Sequence, residues 1–107
     1  MSEIRVRHIE RRIGRITEAL ATIGPMRPGS LTRQYKDPKG RSGAYWQISD
    51  TRAMKSHTAY VPQEGVADIR RQMTAYKRFK TLTEQWVDES IEASTLNMQI
   101  AKQVGSA

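Results

Sequence analysis

Residues 25 to 63, PMRPGSLTRQYKDPKGRSGAYWQISDTRAMKSHTAYVPQ, decide the fold. Pro25, Pro28, Gly29, Pro38, Gly40 and Gly43 punctuate short runs rich in β-branched and aromatic residues, which bounds strands and interrupts helices. The spacing predicts strands at Ser30 to Tyr35, Ala44 to Ser49 and His57 to Val61. Turns are expected at Asp37-Pro38-Lys39-Gly40 and Asp50-Thr51-Arg52-Ala53. Connections this short imply an antiparallel meander. Alternation places Leu31, Arg33 and Tyr35 together and separates Ala44, Trp46 and Ile48 from Tyr45, Gln47 and Ser49. Trp46 and Ile48 should face helices. Tyr45 and Gln47 should point outward, beside Arg33, Lys36, Lys39, Arg41, Arg52, Lys55 and His57.

The flanking segments have a helical period. Val6, Ile9, Ile13, Ile16, Leu20 and Ile23 recur every three or four residues and form one apolar stripe. From Ile9 the steps make a heptad seam of two repeats, long enough to pack on one neighbouring helix but too short to establish a coiled coil. Ser2 is the expected N-cap and Gly24-Pro25 the stop. Gly14 inside this helix costs about 1 kcal/mol relative to alanine, which suggests a close approach by a partner helix.

The second helix is expected from Pro62, with Glu64 and Asp68 near its N-terminal dipole, to about Lys102. Val66, Ile69, Met73, Tyr76, Phe79 and Leu82 supply its stripe, extended by Trp86, Val87 and Ile91. At 1.5 Å per residue it would be roughly 60 Å long, against about 33 Å for the first helix. The apolar stretch Trp86, Val87 and Ile91 is therefore left over, and a homodimer is the default that would cover it. The predicted fold is α+β: one domain over residues 1–107, with an N-terminal helix, a three-stranded antiparallel meander and a long C-terminal helix. The two helices form a hairpin, and the meander docks across one end.

Composition narrows the function. The chain has no cysteine, which removes disulfide scaffolds, thiolate zinc sites and thiol nucleophiles. Its two histidines, His8 and His57, fall in different predicted elements, so neither a metal nor a cofactor is expected. There is no Gly-rich phosphate loop, serine elbow or zinc helix, and Asp37 and Asp50 are explained by turn chemistry, so the chain reads as non-catalytic. Neither a membrane span nor a signal peptide is legible, and a cytoplasmic location is expected.

Charge carries the strongest functional signal. Residues 1 to 80 hold 17 Lys/Arg against 7 Asp/Glu, whereas residues 81 to 107 hold 1 against 4, a basic body with an acidic tail. Such a field concentrates polyanions and steers their approach. Arg27, Arg33, Lys36, Lys39, Arg41, Arg52, Lys55 and His57 are candidate phosphate contacts, and Tyr45 and Gln47 can stack on bases or hydrogen-bond to them. A β-ribbon fits the major groove of DNA, which makes DNA the favoured nucleic acid over RNA. The alternative for the same residues is a solvated face whose charges discourage edge-to-edge pairing, or a surface for an acidic protein partner. Arg5, Arg7, Arg11, Arg12 and Arg15 form a second basic cluster, suited either to clamping a backbone or to pairing with Glu3, Glu10 and Glu18. Arg70, Arg71, Lys77, Arg78 and Lys80 form a third.

Four stretches carry a resemblance to a known family: Gly24-Pro25-Met26-Arg27-Pro28-Gly29-Ser30-Leu31, Gly43-Ala44-Tyr45-Trp46-Gln47-Ile48-Ser49, Tyr60-Val61-Pro62 and Tyr76-Lys77-Arg78-Phe79. Through them the chain, from about Ile9 to Leu82, resembles a family of small bacterial proteins of unknown function often encoded near transposases and other mobile-element genes. The family has no established activity to carry over; the expected role is a nucleic-acid-binding accessory or regulatory factor linked to a mobile element, the alternative being a protein-interaction module such as an inhibitor or adaptor carried by a phage or transposon. Many members hold a cysteine-rich, metal-binding-looking loop where this chain has Tyr35-Lys36-Asp37-Pro38-Lys39-Gly40-Arg41. This chain resembles a cysteine-less variant, in which a proline- and glycine-shaped turn replaces that loop.

Overall fold

Val6, Ile9 and Ile16 of the first apolar stripe are buried on one side of helix α1 (Ser2–Ala21). The computed structural model describes residues 2 to 106. Ser2, the expected N-cap, is already helical, and the residue before it lies outside the described residues. At the other end the amides of Thr22 and Ile23 donate to the carbonyls of Ala19 and Leu20, tightening the last turn, and Gly24 follows at φ +75°. The expected close approach at Gly14 is not found, because open space lies where its Cβ would be.

Three strands follow: β1 (Ser30–Asp37), β2 (Ser42–Arg52) and β3 (Lys55–Val61), in the order β1-β2-β3 with both pairings antiparallel. Gly29 is required at the entry to β1. Its φ is +134°, and a Cβ there would meet the Ser49 carbonyl oxygen at 2.8 Å. The second turn differs from expectation, since the ladder continues through Thr51↔Ser56 and Arg52↔Lys55 and the loop shrinks to Ala53-Met54. Both residues have positive φ, 51° and 64°, as a two-residue type I′ hairpin turn requires. The Asn-Gly sequence that normally marks such a turn is missing, which is why alternation alone places it too early.

The long helix also starts later than the sequence suggests. Pro62 remains extended at φ −65° and ψ 151°, a 3-10 turn spans Gln63–Gly65, and helix α2 runs from Val66 to Ser106. Glycine at position 65 is a poor helix former, and the Gly65 amide closes the short turn on the Pro62 carbonyl at 2.9 Å.

The chain groups into two compact units, and α2 contributes to both. In the first, α1 and the part of α2 from Arg78 onward form an antiparallel helical hairpin: Arg5 meets Glu92 and Arg12 meets Glu89. Ile9 is fully buried there, while Leu82, Ala93, Leu96 and Ile100 of α2 are half-buried. In the second, Pro25–Lys77, the core is Ile48, Val61 and Val66, with Leu31, Trp46, Ala59, Ile69 and Met73 packed against it. One face of the sheet is thus closed by the first turns of α2. The Arg27 amide donates to the Gln72 carbonyl at 3.1 Å and ties the incoming segment to the same helix. Truncating a side chain as buried as Ile48 to alanine typically costs about 2–5 kcal/mol. Among the described residues, no helix is long and apolar enough to cross a membrane.

Candidate nucleic-acid interface

Register decides which side chains share a face, because directly paired residues project to the same side of an antiparallel sheet. The pairs Leu31↔Ile48, Arg33↔Trp46, Trp46↔Val61, Ile48↔Ala59, Asp50↔His57 and Arg52↔Lys55 belong to the face that α2 closes. The pairs Thr32↔Gln47, Gln34↔Tyr45, Ser49↔Thr58 and Gln47↔Tyr60 belong to the other. The open face is built from hydroxyl, amide and phenol groups with Lys36, and no strand residue on it carries a carboxylate.

The candidate residues are accordingly divided. Lys36, Tyr45 and Gln47 share the open face, with Lys39 and Arg41 in the adjoining β1–β2 turn. Arg33, Arg52, Lys55 and His57 project from the opposite side, not beside Tyr45, because they occupy the same alternation as Ile48. Arg33 lies over the Trp46 ring with its guanidinium carbon 5.8 Å from the centroid, and Arg70 of α2 lies over the same ring at 5.2 Å. The Trp46 indole donates to Gln63 Oε1 at 3.1 Å. Arg52 is paired with Asp50 at 2.6 Å, so its charge is locally offset. Lys55 and His57 are exposed at the far end of the β2–β3 hairpin, and the Arg27 side chain is exposed on the segment before β1.

The β1–β2 turn keeps its charge accessible. Asp37 Oδ1 accepts the Gly40 amide at 3.2 Å, and Arg41 takes a positive φ of 51° to complete the turn. Lys36, Lys39 and Arg41 form no ion pair among the described residues. Next along β2, Gly43 has φ +68°, and a Cβ there would stand 3.0 Å from Lys36 Cβ. Glycine therefore lets the lysine stem lie across the neighbouring strand. A depression of about 540 Å³ opens beside it, lined by Lys36, Gly43, Ala44, Tyr45 and Tyr60. The Tyr45 and Tyr60 rings are 6.5 Å apart between centroids and tilted by 40°, and Tyr60 is 69% exposed.

Tyr60 is an addition to the residues that sequence reasoning selects, and Arg70, which the sequence groups with the basic run of the second helix, lies instead against the sheet at Trp46. The signal for Tyr60 lies in the alternation, since Ala59 and Val61 turned inward leave Tyr60 outward. Arg70 can be placed only once the docking of α2 on the sheet is known.

Two of the five arginines in the α1 cluster pair with carboxylates of α2. Arg12 makes a side-on pair with Glu89, Nε to Oε1 at 3.0 Å and Nη2 to Oε2 at 3.1 Å, and Arg5 binds Glu92. The hydrogen bond from Arg12 to Glu89 pushes the guanidinium above its ordinary value, against a smaller opposing effect of burial. Within the same unit Trp86, Val87 and Ile91 are brought together as expected, on an exposed strip of α2 with Met98. They line a hollow of about 450 Å³ with Ser90, Ser94 and Thr95. Among the described residues, no three His, Cys, Asp or Glu side chains are grouped to hold a metal ion. No protein-family model, curated protein or solved structure matches this chain.

Proposed function

We propose that this chain is a non-catalytic nucleic-acid-binding factor, acting in the cytoplasm as an accessory or regulator of a mobile genetic element. It would contact DNA through the β1–β2 turn and the open face of the sheet. The observation that carries this reading is the gathering of Lys36, Lys39 and Arg41, none of them ion-paired among the described residues, at the end of a carboxylate-free face that also presents Tyr45 and Gln47. Three cations at one turn can each displace a condensed counterion, and the neighbouring phenol and amide can engage bases. Arg33 and Arg70 add positive charge around Trp46 on the other side of the same sheet.

The exposed strip of Trp86, Val87 and Ile91 supports a homodimer, which would carry two such turns. Titrating affinity for both duplex and single-stranded DNA against salt tests the nucleic-acid reading. A log-log slope of several units for either supports it, and no retardation of either at about 50 mM salt counts against it.

A second reading, as an inhibitor or adaptor that docks on a protein, draws on the Tyr, Ser, Thr and Gln composition of the open face. Protein-binding paratopes use the same adaptable, weakly charged mixture. Retention of a protein partner from lysate after nuclease treatment, with no retardation of either DNA probe, would favour that reading.

A further inference from the structure

We infer that the Tyr45–Tyr60 face takes unpaired nucleotides, so that the chain prefers single-stranded nucleic acid to duplex. This rests on the nucleic-acid reading above and specifies its substrate class.

The geometry of the sheet disfavours duplex entry at this surface. β2 is the central strand, flanked by β1 and β3, and its Ile48 face is closed by α2. Strand spacings of about 4.8 Å give three strands a backbone width of roughly 10 Å before side chains are added. With a helix behind it, such a layer is too bulky to insert into a major groove about 12 Å wide and 8.5 Å deep. What the open face offers is a platform.

Its chemistry matches that shape. Tyr60 lies diagonally across the strand pair from Tyr45, and its ring is largely uncovered. A base within a duplex has its π-faces occupied by its stacked neighbours, so only an unpaired base can lie on these rings. The depression between Lys36, Gly43, Ala44 and the two tyrosines, about 540 Å³, is within the roughly 300–1,000 Å³ of small-ligand clefts. Lys36 stands at its rim, and Lys39 and Arg41 follow in the turn, so a backbone can run from the tyrosines along the turn cations. No strand carboxylate opposes it on this face. Unpaired DNA and RNA share this chemistry and differ at the 2′-hydroxyl.

The test is fluorescence anisotropy of the full chain with labelled 20-mers at one salt concentration: oligo-dT, oligo-rU and a mixed-sequence duplex. The expected result is affinity for at least one single strand about tenfold or more above that for duplex. Tyr60→Ala should weaken single-strand binding by about tenfold, Tyr60→Phe should retain it, and duplex binding should change in neither variant. The two single-strand arms decide between DNA and RNA. Equal or tighter binding of duplex overturns the inference while leaving the nucleic-acid reading intact, and so does full single-strand affinity in Tyr60→Ala. Failure to bind any of the three probes overturns both. The wild-type comparison needs no variant, so a poorly folding mutant does not remove the test.

Discussion

Arg12 and Glu89, 77 positions apart in sequence, face each other side-on, with both guanidinium-to-carboxylate hydrogen bonds formed within 3.1 Å. Together with the neighbouring Arg5–Glu92 pair, this arrangement gives the acidic tail a structural role: it engages two arginines of the N-terminal helix. The charges of Arg5 and Arg12 are thereby offset locally. Glu89→Gln should lower the melting temperature, because one bidentate pair is removed and Arg12 keeps its charge. Exchanging the two residues, Arg12→Glu with Glu89→Arg, should recover part of that stability. Thermal denaturation followed by circular dichroism reads both, and a Glu89→Gln variant as stable as the parent would deny the pair that role.

Gly14→Ala should stabilise the protein by about 1 kcal/mol. The position is helical, open space surrounds the added methyl group, and alanine is the better helix former by about that amount. Urea unfolding measures the change directly. A loss of stability would mean that the methyl group meets something the open space does not contain.

Arg41 should display a trade between stability and binding. It occupies the left-handed region at φ 51°, where a non-glycine residue is disfavoured by roughly 1–2 kcal/mol. Arg41→Gly should therefore raise unfolding stability while lowering nucleic-acid affinity, since strain and charge are removed together. The same relief without a binding penalty is expected at the other hairpin, where Met54 has φ 64° and is 99% exposed: Met54→Gly should stabilise the turn and leave binding unchanged. Reduced affinity in Met54→Gly would move part of the interface to the β2–β3 tip.

Ile91→Lys should convert a dimer into a monomer in sedimentation velocity. Val87 and Ile91 are 57% and 59% exposed, and a buried lysine at this strip would lack a partner. A wild-type chain that is already monomeric at high micromolar concentration would remove the dimer from the account.

The fold is legible in the sequence because its signals are periodic. The isoleucine stripe, the clustered prolines and glycines, and the alternation around Trp46 and Ile48 each point to one element type, and they agree. Boundaries are harder where local chemistry departs from the usual pattern: Ala53-Met54 forms a primed turn without asparagine or glycine, and Pro62 stays extended ahead of a 3-10 turn. The site is half legible. Charge identifies Lys36, Lys39 and Arg41, whereas the side of the sheet taken by Arg33, Arg52, Lys55 and His57 follows from register, which alternation within each strand already sets but which pooling the basic residues conceals. Arg70 and the partners of Arg5 and Arg12 depend on tertiary docking. No spacing within one helix encodes them.

The central claim is that the β1–β2 turn neutralises phosphates, and the salt dependence of affinity tests it most directly. With Lys36, Lys39 and Arg41 all replaced by alanine, the log-log slope should fall by about 2–3 units, close to the 0.7–0.9 expected for each phosphate that is no longer neutralised. An unchanged slope in a variant that remains folded would contradict the account.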